Sequence, residues 1–283
     1  MIDLDLATVL LQWAAGGLFF TWVSTRHREI GLGYGWLMRA TFLLMAVGSV
    51  LAGFRFSYDP VREFLTIAMC VGVAVALAVS VQRRSAGVAG QRERVERRTQ
   101  RVADMTGFDR DVQTFDKSAA EFPPILDLIG PVIGLVGLVA AAVAAGGPLG
   151  LAIARLVVGA LFLGAISDAM LLGHWYLVQP GLERHLLLEL VKLTALLWPF
   201  ELAVLLWPTG MISVLNGTIE DGYNGLLGWF WVASTVATII LLGVARAALR
   251  EREYSAVMAA TGLLYLAILT AFGMDLVARA TLA

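Results

Sequence analysis

The chain has 283 residues, of which 59% are hydrophobic and 15% are charged, whereas roughly a quarter of the residues in soluble domains are charged. Its apolar residues form runs of about 20, the length that a helix needs to cross a hydrocarbon core of about 30 Å. This composition excludes an ordinary soluble domain, and a net charge of -1 gives no indication of nucleic-acid binding. The sequence therefore predicts an all-α integral membrane protein.

Eight apolar segments follow one another and predict a polytopic bundle, in a single transmembrane domain over residues 1–283. They cover residues 6–25, 36–54, 64–82, 124–145, 149–177, 185–207, 228–249 and 255–278. Residues 16–20 (GGLFF) in the first segment resemble residues 159–163 (GALFL) in the fifth. This similarity leaves open a bundle of two parallel four-helix repeats, an arrangement that occurs in transporters.

The basic residues are concentrated on the side opposite the two termini. That side holds the basic loop of residues 83–122 and the arginines of three shorter loops, which are Arg26, Arg28, Arg39, Arg184, Arg246, Arg250 and Arg252. The positive-inside rule makes this side cytoplasmic. The sequence thus predicts a bacterial cytoplasmic (inner) membrane protein with both termini outside. The first half of the loop reads as a basic helix, attracted to anionic headgroups or in contact with a partner or with the protein itself.

Ionisable residues inside a bilayer cost about 2.5–3.5 kcal/mol each and are therefore candidates for function or for packed ion pairs. The candidates in the fifth and sixth segments are Arg155, Asp168, Glu189, Lys192 and Glu201. If these segments form a hairpin, Arg155 lies at the depth of Glu201 and Asp168 at the depth of Lys192. A straight hairpin turns only one pair inward, and the sequence does not say which one.

A second group of polar side chains lies at the cytoplasmic end of the fifth segment. It consists of His174, Trp175, Tyr176 and Gln179, which predict a site for a quinone or lipid headgroup. The alternative is an ordinary interfacial belt, in which tryptophan and tyrosine are common. A b-type haem would need a second histidine beside His174, and only His27 and His185 exist, which disfavours haem.

Three functions remain open. The polar group at the cytoplasmic end of the fifth segment indicates an accessory or quinone-facing membrane subunit of a bacterial electron-transfer assembly. The intramembrane charges indicate instead a secondary transporter, including a proton-coupled one, and the Arg-rich loop indicates a scaffold that docks a cytoplasmic partner. The expected partners are the lipid bilayer and other membrane subunits or a second copy, and not nucleic acid. The single cysteine and the lack of a metal, nucleotide or soluble-enzyme motif predict no metal site and leave open whether the protein is an enzyme.

Overall fold

The computed structural model describes residues 5–106, 115, 116, 118–179 and 181–282, with the backbone alone at 98, 99 and 101–106. Every regular element in this part of the chain is helical. The α-helices are α1 (Leu6–Thr25), α2 (Leu32–Phe56), α3 (Pro60–Gln82), α4 (Ala89–Thr106), α5 (Ile129–Ala145), α6 (Leu149–Val178), α7 (Arg184–Leu206), α8 (Gly210–Leu215), α9 (Leu226–Ala248) and α10 (Tyr254–Thr281). Short 3₁₀ helices lie at Arg84–Ala86 and at Pro124–Leu128, directly before α5.

Seven of the described helices are long and apolar enough to cross a membrane: α1, α2, α3, α5 with its preceding 3₁₀ turn, α6, α9 and α10. A helical membrane bundle is therefore confirmed. The sixth predicted segment, α7, has 23 residues but contains Arg184, Glu189, Lys192 and Glu201, so its composition is less apolar than that of the other long helices. We call the face where α1 begins and α10 ends the terminal face, and the opposite face the loop face.

Contacts at both ends of α7 show how it lies in the bundle. At the start of α6, the Arg155 guanidinium donates to the carbonyl oxygen of Val204, with Nε at 2.9 Å. At the other end of α6, the Tyr176 hydroxyl donates to the carbonyl oxygen of Glu183 at 2.5 Å, just before α7 begins. The two helices are therefore antiparallel neighbours from one face to the other.

Two helices begin a turn earlier than their apolar composition predicts. α2 begins at Leu32 and α3 at Pro60, rather than at residues 36 and 64. At α3 the reason is capping, because the Asp59 carboxylate accepts the N–H groups of Val61 and Arg62 and proline occupies the first helical position. Arg62 and Glu63 therefore belong to the first turn of α3 and not to the loop before it.

The centre of the bundle is a backbone contact between α1 and α6. A Cβ added at Gly16 would overlap the backbone of Ala160, and one at Gly164 would overlap the backbone of Gly16. α5 packs on α1 and α3 in the same manner, since a Cβ at Gly134 would lie 2.8 Å from both Ala15 Cβ and Met69 Sδ. In lipid, helices associate through such close packing of small residues rather than through the hydrophobic effect.

The first half of loop 83–122 forms α4, which confirms the predicted basic helix. Its N-terminal turn contacts the body of the protein, because Gly90 N donates to the carbonyl oxygen of Arg28 at 3.0 Å. Arg92 binds Glu121 and also donates to the carbonyl oxygen of Ala86 at 2.6 Å. α4 therefore packs on the loop face through its N-terminal half.

Candidate functional site

The four residues predicted to bind a headgroup do not form one site. His174 is exposed on the outside of α6, with Nδ1 3.3 Å from the Tyr265 hydroxyl. Tyr176 is buried and bonded to the α6–α7 turn, whereas Trp175 Nε1 donates to Gln179 Oε1 at 2.9 Å beside α2. Successive helical residues differ by about 100° in direction, so His174, Trp175 and Tyr176 diverge. The structure therefore brings Trp175 and Gln179 together and places His174 and Tyr176 elsewhere.

Asp168 and Lys192 do not pair. The Asp168 carboxyl group is fully buried and its Oδ1 accepts a hydrogen bond from the Tyr34 hydroxyl at 2.9 Å, while Lys192 lies on the exposed side of α7. Glu189 is half-buried near the loop face, where it binds Arg26 and lies 3.1 Å from His27 Nε2. The predicted pairing of Asp168 with Lys192 is therefore not formed, because Asp168 faces α2 in the core and Lys192 faces outward.

Arg155 and Glu201 lie in the same layer of the bundle without being joined by an ion pair among the described residues. Arg155 donates to the carbonyl oxygens of Val204 at 2.9 Å and Trp207 at 2.8 Å. These are free carbonyl groups at the C-terminal end of α7, which carries partial negative charge. Glu201 interacts with Arg155 electrostatically, but the predicted direct pair is replaced by a cap.

A buried polar cluster occupies the terminal half of the bundle at this depth. It consists of one residue each from α1, α6 and α7 and two from α10: Gln12, Arg155, Glu201, Asp275 and Arg279. Arg279 Nε donates to Asp275 Oδ2 at 2.8 Å, and Arg279 Nη2 donates to Gln12 Oε1. Asp275 and Arg279 both interact with Glu201. Gly159 makes room for the cluster, since a Cβ there would overlap the Gln12 amide nitrogen.

The buried polar cluster contains donors and acceptors that have no hydrogen-bond partner within the described part of the chain. The donors are Gln12 Nε2 and Arg279 Nη1. The acceptors are Asp275 Oδ1 and both carboxylate oxygens of Glu201; these two acids lie side by side and lack a donor for each other when both are ionised. An unpaired buried group costs about 1–3 kcal/mol, and more when it is charged. Such a cost is expected at a site that handles a ligand or a proton, and it is not expected in a purely structural ion pair.

Two cavities on the terminal face border the cluster. The first has a volume of about 300 Å³ and is lined by Arg279, by Asp59 in the α2–α3 turn, and by Ala145 at the end of α5. The second, of about 190 Å³, is lined by Arg155 and Pro208. Ala152 borders both cavities. The cluster therefore lies between two spaces that lead to the same face.

Other buried arginines have their hydrogen bonds satisfied. Arg39 forms a bidentate ion pair with Asp127, with Nε–Oδ1 at 2.6 Å and Nη2–Oδ2 at 2.8 Å, and its Nη1 donates to Ser80 Oγ at 3.2 Å. The Phe122 ring covers the same guanidinium at 4.4 Å. Because each guanidinium nitrogen of Arg39 has a partner, this bidentate pair has a structural role: it joins α2 to the 3₁₀ turn before α5.

Arg62 is satisfied in the same way on the terminal face. Its Nε and Nη2 donate to Glu63 Oε1 at 3.0 and 2.7 Å, its Nη1 donates to Thr8 Oγ1 at 3.1 Å, and it also binds Asp5 and Ser57. Asp5 in turn caps α1, since its side chain accepts the N–H of Thr8 at 3.0 Å. Arg62 holds α1, α2 and α3 together and has no nitrogen left for a ligand.

On the loop face, Glu29, Glu183 and His185 place one ligand atom each within 4.8 Å of one another. Arg94 of α4 lies beside this group, and two of its guanidinium nitrogens are buried without a hydrogen-bond partner among the described residues. Burial lowers the pKa of Arg94, and the attraction of Glu29 and Glu183 opposes that shift. The positive charge of Arg94 disfavours a cation here, so these acids serve to hold α4 against the loop face.

Sequence reasoning missed Gln12 and Arg279, which are central to the cluster. A usable signal existed for Arg279, because Asp275 and Arg279 have the i,i+4 spacing of a helical ion pair within an apolar run. Gln12 is a lone amide in an apolar helix, and nothing in its neighbourhood along the chain marks it. Comparison of the chain with protein-family models, with curated proteins and with solved structures finds no match.

Proposed function

We propose that the protein is a proton-coupled secondary carrier of a bacterial inner membrane, with the buried polar cluster as its transport site. In this proposal α7 is an eighth membrane-spanning helix and the terminal face is extracellular. The observation that carries the proposal is the set of unpaired donors and acceptors on Gln12, Glu201, Asp275 and Arg279, buried beside cavities that lead to one face. Intramembrane ionisable groups of this kind mark ion and proton pathways.

The two acids of the cluster provide the proton-binding group. Glu201 and Asp275 interact directly in a site whose nearest bonded cation is Arg279. Two adjacent carboxyl groups in a water-poor site are more stable when they share a proton than when both are charged. A cluster of this composition can therefore alternate between a proton-loaded and an empty state.

The helix arrangement supports the same proposal. In the first half of the chain α1 packs on α2 and α5, and in the second half α6 packs on α7 and α10. The similar segments at residues 16–20 and 159–163 meet where α1 crosses α6. We propose that the halves are two parallel repeats, which in carriers move against each other around a central site. α4 covers the loop face, as expected when the site is open on the other side.

The electron-transfer function receives less support from the geometry than the carrier does. Trp175 and Gln179 stay together beside α2, whereas His174 is exposed near Tyr265 and Tyr176 is buried against the α6–α7 turn. No second function is therefore proposed.

Reconstituted vesicles test the carrier directly. The purified protein is placed in liposomes that contain a pH-sensitive dye, and solutes of different classes are added: pyruvate, alanine, phosphate, glucose and potassium. We expect one class to drive proton movement in the wild type. We expect the Glu201→Gln variant to lose this movement, because an amide cannot accept and release the proton.

Lys192→Gln is the matched control, since it changes an exposed charge on the same helix. Vesicles without protein correct for passive diffusion of weak acids. Proton movement that persists at full rate in folded Glu201→Gln protein contradicts the proposal, as does a folded wild type that moves protons with none of these solutes.

A further inference from the structure

We infer that the carrier takes a small monocarboxylate as its substrate, bound through its carboxylate group to the Nη1 side of Arg279. This inference rests on the proposed function and names its substrate class. The structural basis is the buried side chain of Arg279, which is among the residues that line a cavity of about 300 Å³ and whose Nη1 is buried without a hydrogen-bond partner in the described part of the chain.

The hydrogen bonding of Arg279 leaves it able to bind an anion. Its Nε is used by Asp275 and its Nη2 by Gln12, whereas Nη1 has no partner among the described residues. A guanidinium presents its N–H groups in a planar fork that matches a carboxylate.

The other charged groups that border the cavity are already engaged. Arg62 binds Asp5 and Glu63, and the Asp59 carboxylate caps α3. None of these groups offers a free donor for an anion. Arg279 is therefore the one charged residue of the lining with an unused donor in the described part of the chain.

The remaining wall sets the size and character of the substrate. One side is built from small apolar residues of α5 and α6, namely Ala141, Ala144, Ala145, Ala152 and Leu156, and the other side carries the hydroxyl groups of Thr8, Ser57 and Tyr58. Ligand pockets commonly have volumes of about 300–1,000 Å³, so this cavity suits a small solute. A carboxylate carried by a short organic group matches an arginine set beside an alanine-rich wall.

The unpaired carboxylate oxygens of Glu201 and Asp275 bind the transported proton. They do not bind a positively charged group of the substrate. Glu201 and Asp275 do not border the cavity, whose lining ends at Arg279. A substrate ammonium group would need an unengaged acid on the cavity wall. We therefore assign the substrate anion to the cavity that Arg279 lines, and the proton to Glu201 and Asp275, which do not line it.

The transport step balances in atoms and charge. A proton binds to a carboxylate oxygen of Glu201 or Asp275 as the anion binds to Arg279, and both leave on the opposite side of the membrane. No covalent bond of the substrate changes, and no oxidant, reductant or other co-reactant is required. The transported pair is neutral, so the flux should respond to the proton gradient and not to the membrane potential.

Binding of radiolabelled pyruvate to the purified protein tests the inference. We expect the wild type to bind pyruvate, unlabelled pyruvate to compete, and methyl pyruvate, which lacks the carboxylate, not to compete. Arg279→Gln should weaken binding by about tenfold or more, because charge-assisted hydrogen bonds contribute about 1.5–3 kcal/mol. Arg55→Gln is the control, since it removes an exposed guanidinium from the terminal end of α2.

The outcomes separate this inference from the proposed function. If alanine, phosphate or another class moves protons in a Glu201-dependent manner while pyruvate does not bind, the carrier stands and the monocarboxylate assignment is overturned. If no solute moves protons, both are overturned. Unchanged pyruvate binding in folded Arg279→Gln protein overturns the assignment of the site. Should that variant not fold, competition by methyl pyruvate against the wild type overturns it instead.

Discussion

Arg62 and Arg279 lie near the same cavity on the terminal face, yet they differ in how their donors are used. Arg62 binds Asp5, Thr8 and Glu63 through its three nitrogens, and Arg279 leaves Nη1 unpaired. Since the number of free donors decides whether an arginine can bind a ligand, burial and charge alone do not identify a functional residue. A structure is needed for that distinction.

The first residue-scale prediction concerns Asp5 and pH. Burial raises the pKa of Asp5, but hydrogen bonds from Ser57 and Thr8 and the attraction of Arg62 more than offset it, so the pKa lies below its ordinary value of 3.8. The stability that this group adds is therefore complete above the ordinary value and is lost as pH falls through the folded-state pKa. We expect Asp5→Asn to lower the melting temperature at neutral pH.

The pH series provides the control for this prediction. The difference in melting temperature between wild type and Asp5→Asn should shrink as the pH is lowered below 3.8, because the wild-type carboxyl group becomes neutral as well. Exposed Glu220 gives the matched variant, Glu220→Gln, which should change little. A constant difference between wild type and Asp5→Asn across this pH range would show that the charge is not involved.

The second residue-scale prediction concerns Arg155, which caps α7. Arg155→Ala leaves the carbonyl oxygens of Val204 and Trp207 without their donor, so we expect a loss of about 1–3 kcal/mol in the free energy of unfolding. Adding Glu201→Gln should not restore stability, because Glu201 is not the hydrogen-bond partner. Denaturant titration in detergent measures both variants, and recovery in the double variant would mean that a direct ion pair forms after all.

At the residue scale, the sequence correctly predicts that Arg155 and Glu201 lie near each other, but it does not predict which atoms their side chains contact. Helix length and the hairpin turn place Arg155 near Glu201, but the rotation of each helix about its axis decides which atoms meet. That rotation depends on the packing of Gly16 against Ala160 and on similar distant contacts. These contacts have no local signature in the chain, so the pairs could not be predicted.

At the element scale, the crossing of α1 and α6 is the tightest contact in the bundle. We expect Gly16→Leu to cost about 1–3 kcal/mol or more, because no space exists for the side chain against the backbone of Ala160. Gly262→Ala in α10 is the control: a Cβ there meets nothing within 4 Å, and alanine favours a helix by up to about 1 kcal/mol. Equal stability of the two variants by thermal unfolding would contradict this packing.

The packing of α4 on the loop face gives a second prediction at this scale. Most of the stability of a helix in a protein comes from its packing and not from its intrinsic propensity, so we expect α4 to depend on its contacts with the loop face. Arg92→Ala removes the bonds to Glu121 and to the carbonyl oxygen of Ala86, and we expect faster amide hydrogen exchange over residues 89–97. Arg97→Ala removes only an exposed pair with Glu93 and should leave exchange nearly unchanged.

Elements are the level at which the sequence predicts most. Apolar length gives seven of the helices, and the basic run gives α4. Capping explains the early start of α3, since Asp59 and Pro60 begin this helix before its apolar run. What sequence cannot provide is whether α4 contacts a partner, lipid or the protein itself, because that depends on distant residues such as Arg28.

At the scale of the whole molecule, the distribution of basic residues predicts the orientation. We expect the terminal face outside and the loop face in the cytoplasm. On a Cys70→Ala background, an impermeant thiol reagent added to intact cells should label a cysteine introduced by Asn216→Cys and not one introduced by Ser85→Cys. Both positions are exposed in the structure, so accessibility of the side chain does not bias the comparison. The reverse labelling pattern would invert the proposed topology.

A carrier requires that the bundle open alternately to its two faces. Two cysteines on the Cys70→Ala background report this: Ala152→Cys at the cavities of the terminal face, and Ser24→Cys at a buried position near the loop face. The measurement is the rate of thiol labelling from both sides of proteoliposomes, at neutral and at mildly acidic pH with pyruvate present. We expect acid and pyruvate to slow labelling at position 152 and to speed it at position 24. Labelling rates that stay the same at both positions would contradict the carrier and leave a static bundle.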